Sequence, residues 1–150
     1  DSDFEDESRD ARTDALELKE AANVLSKFAE GLRAGEEQRE KLREAVGMYI
    51  KACTCLSEAL EGRPCKGADL EVMLPCKLNA ACLSFQLGDG VSTERLCRDV
   101  LSLDERNPHA AMFLVRLARQ KGRSTEANKW LRRAKVWAEE TGQKDLVQQV

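Results

Sequence analysis

The chain has 150 residues, 34% of them charged and 42% hydrophobic, with a formal net charge of −3. Length and composition fit one globular domain, able to bury roughly two thirds of its unfolded surface. Aromatics at 5%, with 9 Gly and 3 Pro, argue against a β-sandwich and for an all-α fold.

No apolar run approaches the ~18 residues of a membrane span. The acidic opening Asp1-Ser2-Asp3-Phe4-Glu5-Asp6-Glu7 is unlike a secretory leader, and no initiator Met precedes it. We therefore expect a cytoplasmic segment of a longer protein. Residues 1–14 hold seven acids and two bases and read as a tail or linker. The stretch from Arg116 to Lys135 holds eight bases against one acid, Glu126. It is a solvated helix face or a surface for an anionic partner.

Helical periodicity begins near Asp14, with Thr13 or Asp14 as cap and Ala15, Leu16, Leu18, Ala21, Ala22, Leu25 and Phe28 near one stripe. A second helix carries Leu42, Ala45, Val46, Tyr49, Ile50, Ala52, Cys53, Leu56 and Leu60, and stops at Gly62-Arg63-Pro64. A third runs from about Leu70 to Leu87, with Pro75 as a kink or first turn. Ser92 or Thr93 caps a fourth; Asn107-Pro108 opens a fifth, where the missing proline N–H costs little. Ser124 caps a sixth, with Trp130 and Trp137 on its packing stripe. Asp145, Leu146, Val147 and Val150 begin a partial seventh.

The third-to-fourth and fifth-to-sixth segments superimpose at an offset of 34 residues. Leu78 meets Met112, Ala81 meets Val115, Gly88 meets Gly122, Cys97 meets Leu131 and Val100 meets Ala134. A helix–turn–helix unit of 34 residues is the tetratricopeptide period. Repeats are expected at about 15–60, 70–104 and 108–140, with a last helix from about 143. They would stack as three antiparallel pairs in a right-handed superhelix. The first hairpin is about ten residues too long, which places an insertion near 29–40.

Six cysteines, at 53, 55, 65, 76, 82 and 97, include no C-x-x-C pair and accompany a single His. Zinc-ligand spacing is absent, so free, packed thiols are expected, and no metal or cofactor. No Gly-rich phosphate loop and no nucleophile–His constellation is visible, so an enzyme is disfavoured. The acidic net charge and the lack of a reader motif disfavour nucleic acid.

Leu18-Lys19-Glu20-Ala21-Ala22-Asn23 resembles the opening of the first repeat in tetratricopeptide co-chaperones, and Leu78-Asn79-Ala80-Ala81-Cys82-Leu83-Ser84-Phe85-Gln86-Leu87-Gly88 resembles the second repeat of their immunophilin-type members. Residues 53–76 resemble their long connection between the two. The resemblance covers about residues 15–150. It implies a protein–protein interaction module whose carboxylate clamp binds the acidic C-terminal peptide (Glu-Glu-Val-Asp) of a cytosolic heat-shock chaperone. A parent of this kind can also carry a prolyl isomerase domain. Cations and amide donors in such a clamp converge on the terminal carboxylate and the last Asp.

Lys19 and Asn23 match the clamp on the first helix, and Asn79 on the third. On the fifth, His109 and Phe113 stand where the family has a Lys and an Arg. Arg116 and Arg119 could supply that charge from displaced positions, and Phe85 would line the groove. Lys19 and Asn23 also fit an ordinary solvated helix face. The alternative is a degenerate repeat scaffold that binds an internal segment of another protein, steered by its basic end.

Overall fold

The structure, a computed structural model, describes residues 2–143 and residue 146. Among them it has six helices and no strand: α1 (Ser2–Glu30), α2 (Glu36–Leu60), α3 (Ala68–Gln86), α4 (Gly90–Leu103), α5 (Pro108–Gln120) and α6 (Ser124–Glu140). Each packs against the next in the chain, and α3 also touches both α1 and α5. Of the expected seventh helix, Asp145, Val147 and Val150 lie outside the described residues; Leu146 packs half-buried against the core.

α1 starts at Ser2, so the acidic stretch read as a tail or linker is its first half. Carboxylates in a first turn complement the positive end of the helix dipole. Ala11 is buried there, and Arg12 Nη1 donates to Asp69 Oδ1 of α3 across 2.9 Å. Thr13 bonds back to the Arg9 carbonyl within the helix instead of capping it.

Ala15, Ala22 and Ala29, seven apart, are fully buried on α1, as are Ala45 and Ala52 on α2. Small side chains at a helix contact set its axial distance at the short end of the usual 8–10 Å. Leu16, Phe28 and Ile50, expected on the packing stripes, stand instead 45%, 55% and 41% exposed. The expected insertion near 29–40 is not a long loop. Only residues 31–35 separate α1 from α2, and the extra length is helical. Gln38 Nε2 closes the turn by donating to the Ala29 and Leu32 carbonyls.

Pro75 sits inside α3, which continues on both sides of it. The turns leaving α3 and α5 are the same turn. Gly88 and Gly122 have φ of 78° and 70°, a left-handed conformation that glycine adopts without a Cβ penalty. Asp89 N donates to Ser84 O, and Arg123 N to Ala118 O, each at 2.9 Å, the long bond of a Schellman cap. The second bond is the first at an offset of 34, and the helix ends at Gln86 and Gln120 and the helix starts at Gly90 and Ser124 repeat at the same offset.

Asp89, not Ser92 or Thr93, caps α4 by accepting from Ser92 N at 3.1 Å. Asn107 caps α5 by accepting from Ala110 N at 3.0 Å, with Pro108 in its first turn. α6 follows Arg123 with no side-chain cap, and Ser124 is its first residue. All six cysteines are free; Cys53, Cys76 and Cys97 are buried and the other three half-buried.

Candidate functional site

Two neighbouring clefts open along α1, one of them shared with α2 and α3. The shared cleft, of about 360 Å³, is lined by Asn23, Ser26, Lys27 and Glu30 of α1, Tyr49 of α2, and Asn79, Cys82, Leu83 and Gln86 of α3. Among these, Tyr49 is only 3% exposed, and its hydroxyl donates to Asn23 Oδ1. Burial pushes the Tyr49 phenol up and the neighbouring Cys76 adds to this, while the Asn79 amide pulls the other way. Asn23 and Asn79, 56 residues apart in the chain, thus line one cleft with the phenol. With its oxygen accepting from Tyr49, Asn23 has its NH₂ left as a donor.

The second cleft, about 510 Å³, lies beside the first along α1 and is lined by Leu16, Lys19, Glu20, Asn23, Val24 and Lys27. Asn23 and Lys27 border both. The neighbouring Cys53 and, secondarily, the Lys19 charge pull the Cys76 thiol of α3 down against its burial.

A separate patch joins α3 to α5. The Phe85 and Phe113 ring centroids lie 6.0 Å apart with planes inclined by 52°, within the range of favourable aromatic pairs. The Arg116 guanidinium lies 5.4 Å from the Phe113 centroid. Arg119 is exposed in the last turn of α5 and lines neither cleft. His109 is half-buried, and burial alone pushes its pKa down, which keeps it neutral at pH 7.

Of the six residues singled out in the sequence, Lys19, Asn23 and Asn79 therefore gather along the α1–α3 clefts. Phe85 and Arg116 gather around Phe113, and Arg119 stands apart. Two further residues belong to the site. Tyr49 had a visible signal, as the chain's single Tyr in an apolar stripe, where its hydroxyl needs a partner. Lys27 continues the four-residue spacing of Lys19 and Asn23, which keeps all three near one helix face.

Among the described residues no cluster of His, Cys, Asp or Glu could hold a metal ion, and no helix is long and apolar enough to cross a membrane. No protein-family model matches the chain, and comparison with curated proteins gives no match.

Proposed function

We propose that this chain is a tetratricopeptide-type interaction module, without catalytic activity of its own. Its α1–α3–α5 side would bind the acidic, free C-terminal peptide of a cytosolic heat-shock chaperone, as in the co-chaperones its sequence resembles, and it would act in the cytoplasm. The observation that carries the reading is the cleft shared by Asn79 and by Asn23 bonded to Tyr49, with Lys19 and Lys27 on the same side of α1. The turn repeated at 34 residues and the contacts of α3 with both α1 and α5 support the repeat architecture.

In this reading Tyr49 holds the Asn23 amide in place. The Asn23 NH₂ and the Lys19 and Lys27 ammonium groups then donate to the terminal carboxylate and to the last Asp. Charge-assisted bonds of this kind contribute roughly 1.5–3 kcal/mol each. His109 is neutral and Phe113 donates nothing, so the far side of the clamp is weak. Arg116 supplies its charge from beside the Phe113 ring.

The Phe85–Phe113 pair favours a second reading, in which this side receives an apolar internal segment of a partner. One titration separates the two. A short peptide ending in Glu-Glu-Val-Asp with a free carboxylate is compared with its C-terminally amidated twin. The clamp reading expects micromolar-range binding that amidation and Lys19→Ala each weaken at least tenfold. Equal binding of the twins supports the apolar-segment scaffold. Absence of binding at ~1 mM peptide, where the free energy would be only about −4 kcal/mol, ends the clamp reading.

A further inference from the structure

The basic end of the chain forms a cleft that the proposed groove does not use. It has a volume of about 730 Å³ and lies between α4 and the start of α6. Four cations line it, Arg98 of α4, Arg123 of the turn, and Lys129 and Arg133 of α6, against one carboxylate, Glu126. None of them lines either α1 cleft.

Two of these cations are held in place by packing. The Arg98 and Arg133 guanidinium carbons lie 5.4 and 4.8 Å from the centroid of the Trp130 ring. Trp130 is only 7% exposed, so it anchors them on a fixed surface. A guanidinium so placed loses less freedom on binding an oxyanion than a free surface arginine does. Arg98 also pairs with Glu94 at 3.6 Å, and Arg123 with Glu126 at 3.7 Å; all four side chains are at least 38% exposed, where such pairs are weak. Among the described residues Lys129 and Arg133 make no ion pair. Ser124 and Thr125 add hydroxyl donors to the lining.

We propose that this cleft binds a phosphorylated side chain of a partner protein. A dianion with several acceptor oxygens matches converging guanidinium, ammonium and hydroxyl donors better than a lone carboxylate does. A nucleic acid fits less well, because the aromatic ring in the cleft is buried beneath the arginines and offers no face for base stacking.

The test uses the full chain and tryptophan fluorescence, since Trp130 lies in the site. The probe is a short Gly/Ala peptide with one central phosphoserine and an amidated C-terminus, which removes the ligand of the proposed groove. Its controls are the serine twin and a single-stranded oligonucleotide at the same ionic strength. The phosphopeptide is expected to bind at least tenfold more tightly than the serine twin. Lys129→Gln with Arg133→Gln should abolish that difference, with an unchanged helical circular-dichroism spectrum and unchanged binding of any free-carboxylate peptide. Arg133→Gln alone, which leaves Lys129 in place, should give an intermediate loss even if the double variant misfolds. Equal affinity for the two peptides, equal affinity of Arg133→Gln and wild type, or tighter binding of the oligonucleotide would each overturn the proposal.

Discussion

Tyr49 donates its phenolic hydrogen to the side-chain oxygen of Asn23, and that one bond links the middle of α2 to the face of α1 that carries the site. The phenol is buried, so an unmade bond there leaves a desolvated hydroxyl. Asn79 lines the same cleft and its amide acts on the same phenol, so the three side chains are not independent of one another.

Removing the hydroxyl tests the network. Tyr49→Phe keeps the ring and its packing and should destabilise the fold by about 0.5–1.5 kcal/mol. Asn23→Ala should cost less in the Tyr49→Phe background than in the wild type, because their shared bond is already gone. Urea denaturation of the wild type, both single variants and the double variant measures this. Strictly additive losses would show that the two residues do not interact in solution.

Ala81 is fully buried where α3 packs on its neighbours. Ala81→Leu inserts three carbon atoms where no space exists and should cost about 1–3 kcal/mol. A thermal melt reads it directly, and an unchanged midpoint would mean that the neighbouring helices do not approach as closely as described.

The Cys97 thiol is pushed up to about 12 by burial, with smaller opposing effects from Arg98 and Glu94. In the unfolded chain the thiol ionises from about pH 8.5. The native state therefore holds a proton that the unfolded state gives up, and stability falls as pH rises. Its contribution should be intact below about pH 8.5 and then decline by up to about 1.4 kcal/mol per pH unit toward 12. Cys97→Ala should remove that part of the slope in urea melts between pH 8 and 10.5. Alkylation of the native protein should reach half-buried Cys55 and Cys82 well before Cys97, as mass spectrometry of timed samples would resolve.

What the sequence made legible follows from where its signals are local. The helical class and the link from α3 to α4 could be read because Gly88-Asp89-Gly90 concentrates the stop and the start in three residues. Gly88 takes the left-handed conformation that closes α3, and Asp89 accepts from Ser92 N to open α4. Choosing Ser92 or Thr93 as the cap missed this, because capping preference ranks residue types without saying which one the preceding turn leaves extended. The first hairpin was hard to bound for the opposite reason. Gly31 and Gly35 lie close together with no proline, and the charged residues around them suit a loop or a helix end equally well. The acidic opening stretch read as a tail because its anchors are tertiary: Asp69, which bonds Arg12, is 57 residues away. In the site, the i,i+4 spacing of Lys19 and Asn23 was visible, but the placing of Tyr49 and Asn79 in one cleft with Asn23 depends on how three helices pack. The displacement of Arg119 from the site depends on the rotation of α5, which spacing alone does not fix.

The last prediction concerns the weak side of the proposed clamp. His109 and Phe113, four apart on α5, occupy the positions where the resembled family has a Lys and an Arg. Burial lowers the His109 pKa from the usual 6.5, so the ring is mainly neutral at pH 7 and gains charge as pH falls below that value. Between pH 7 and 8 the affinity for an acidic free-carboxylate peptide should therefore be flat with respect to this residue. His109→Lys should add a fixed cation on the third wall of the groove. If that cation reaches the last Asp of the peptide, one charge-assisted bond of roughly 1.5–3 kcal/mol corresponds to at least tenfold tighter binding. Phe113→Arg would contribute similarly but breaks the aromatic contact with Phe85, so it should tighten peptide binding while lowering the melting temperature. Calorimetric titration of both variants with the free-carboxylate peptide and its amidated twin measures the effect. A gain confined to the free-carboxylate peptide places α5 within reach of the bound terminus. An equal gain with both peptides would trace to general charge attraction. No gain from His109→Lys in a protein of unchanged fold would remove α5 from the groove and leave only α1 and α3 to bind.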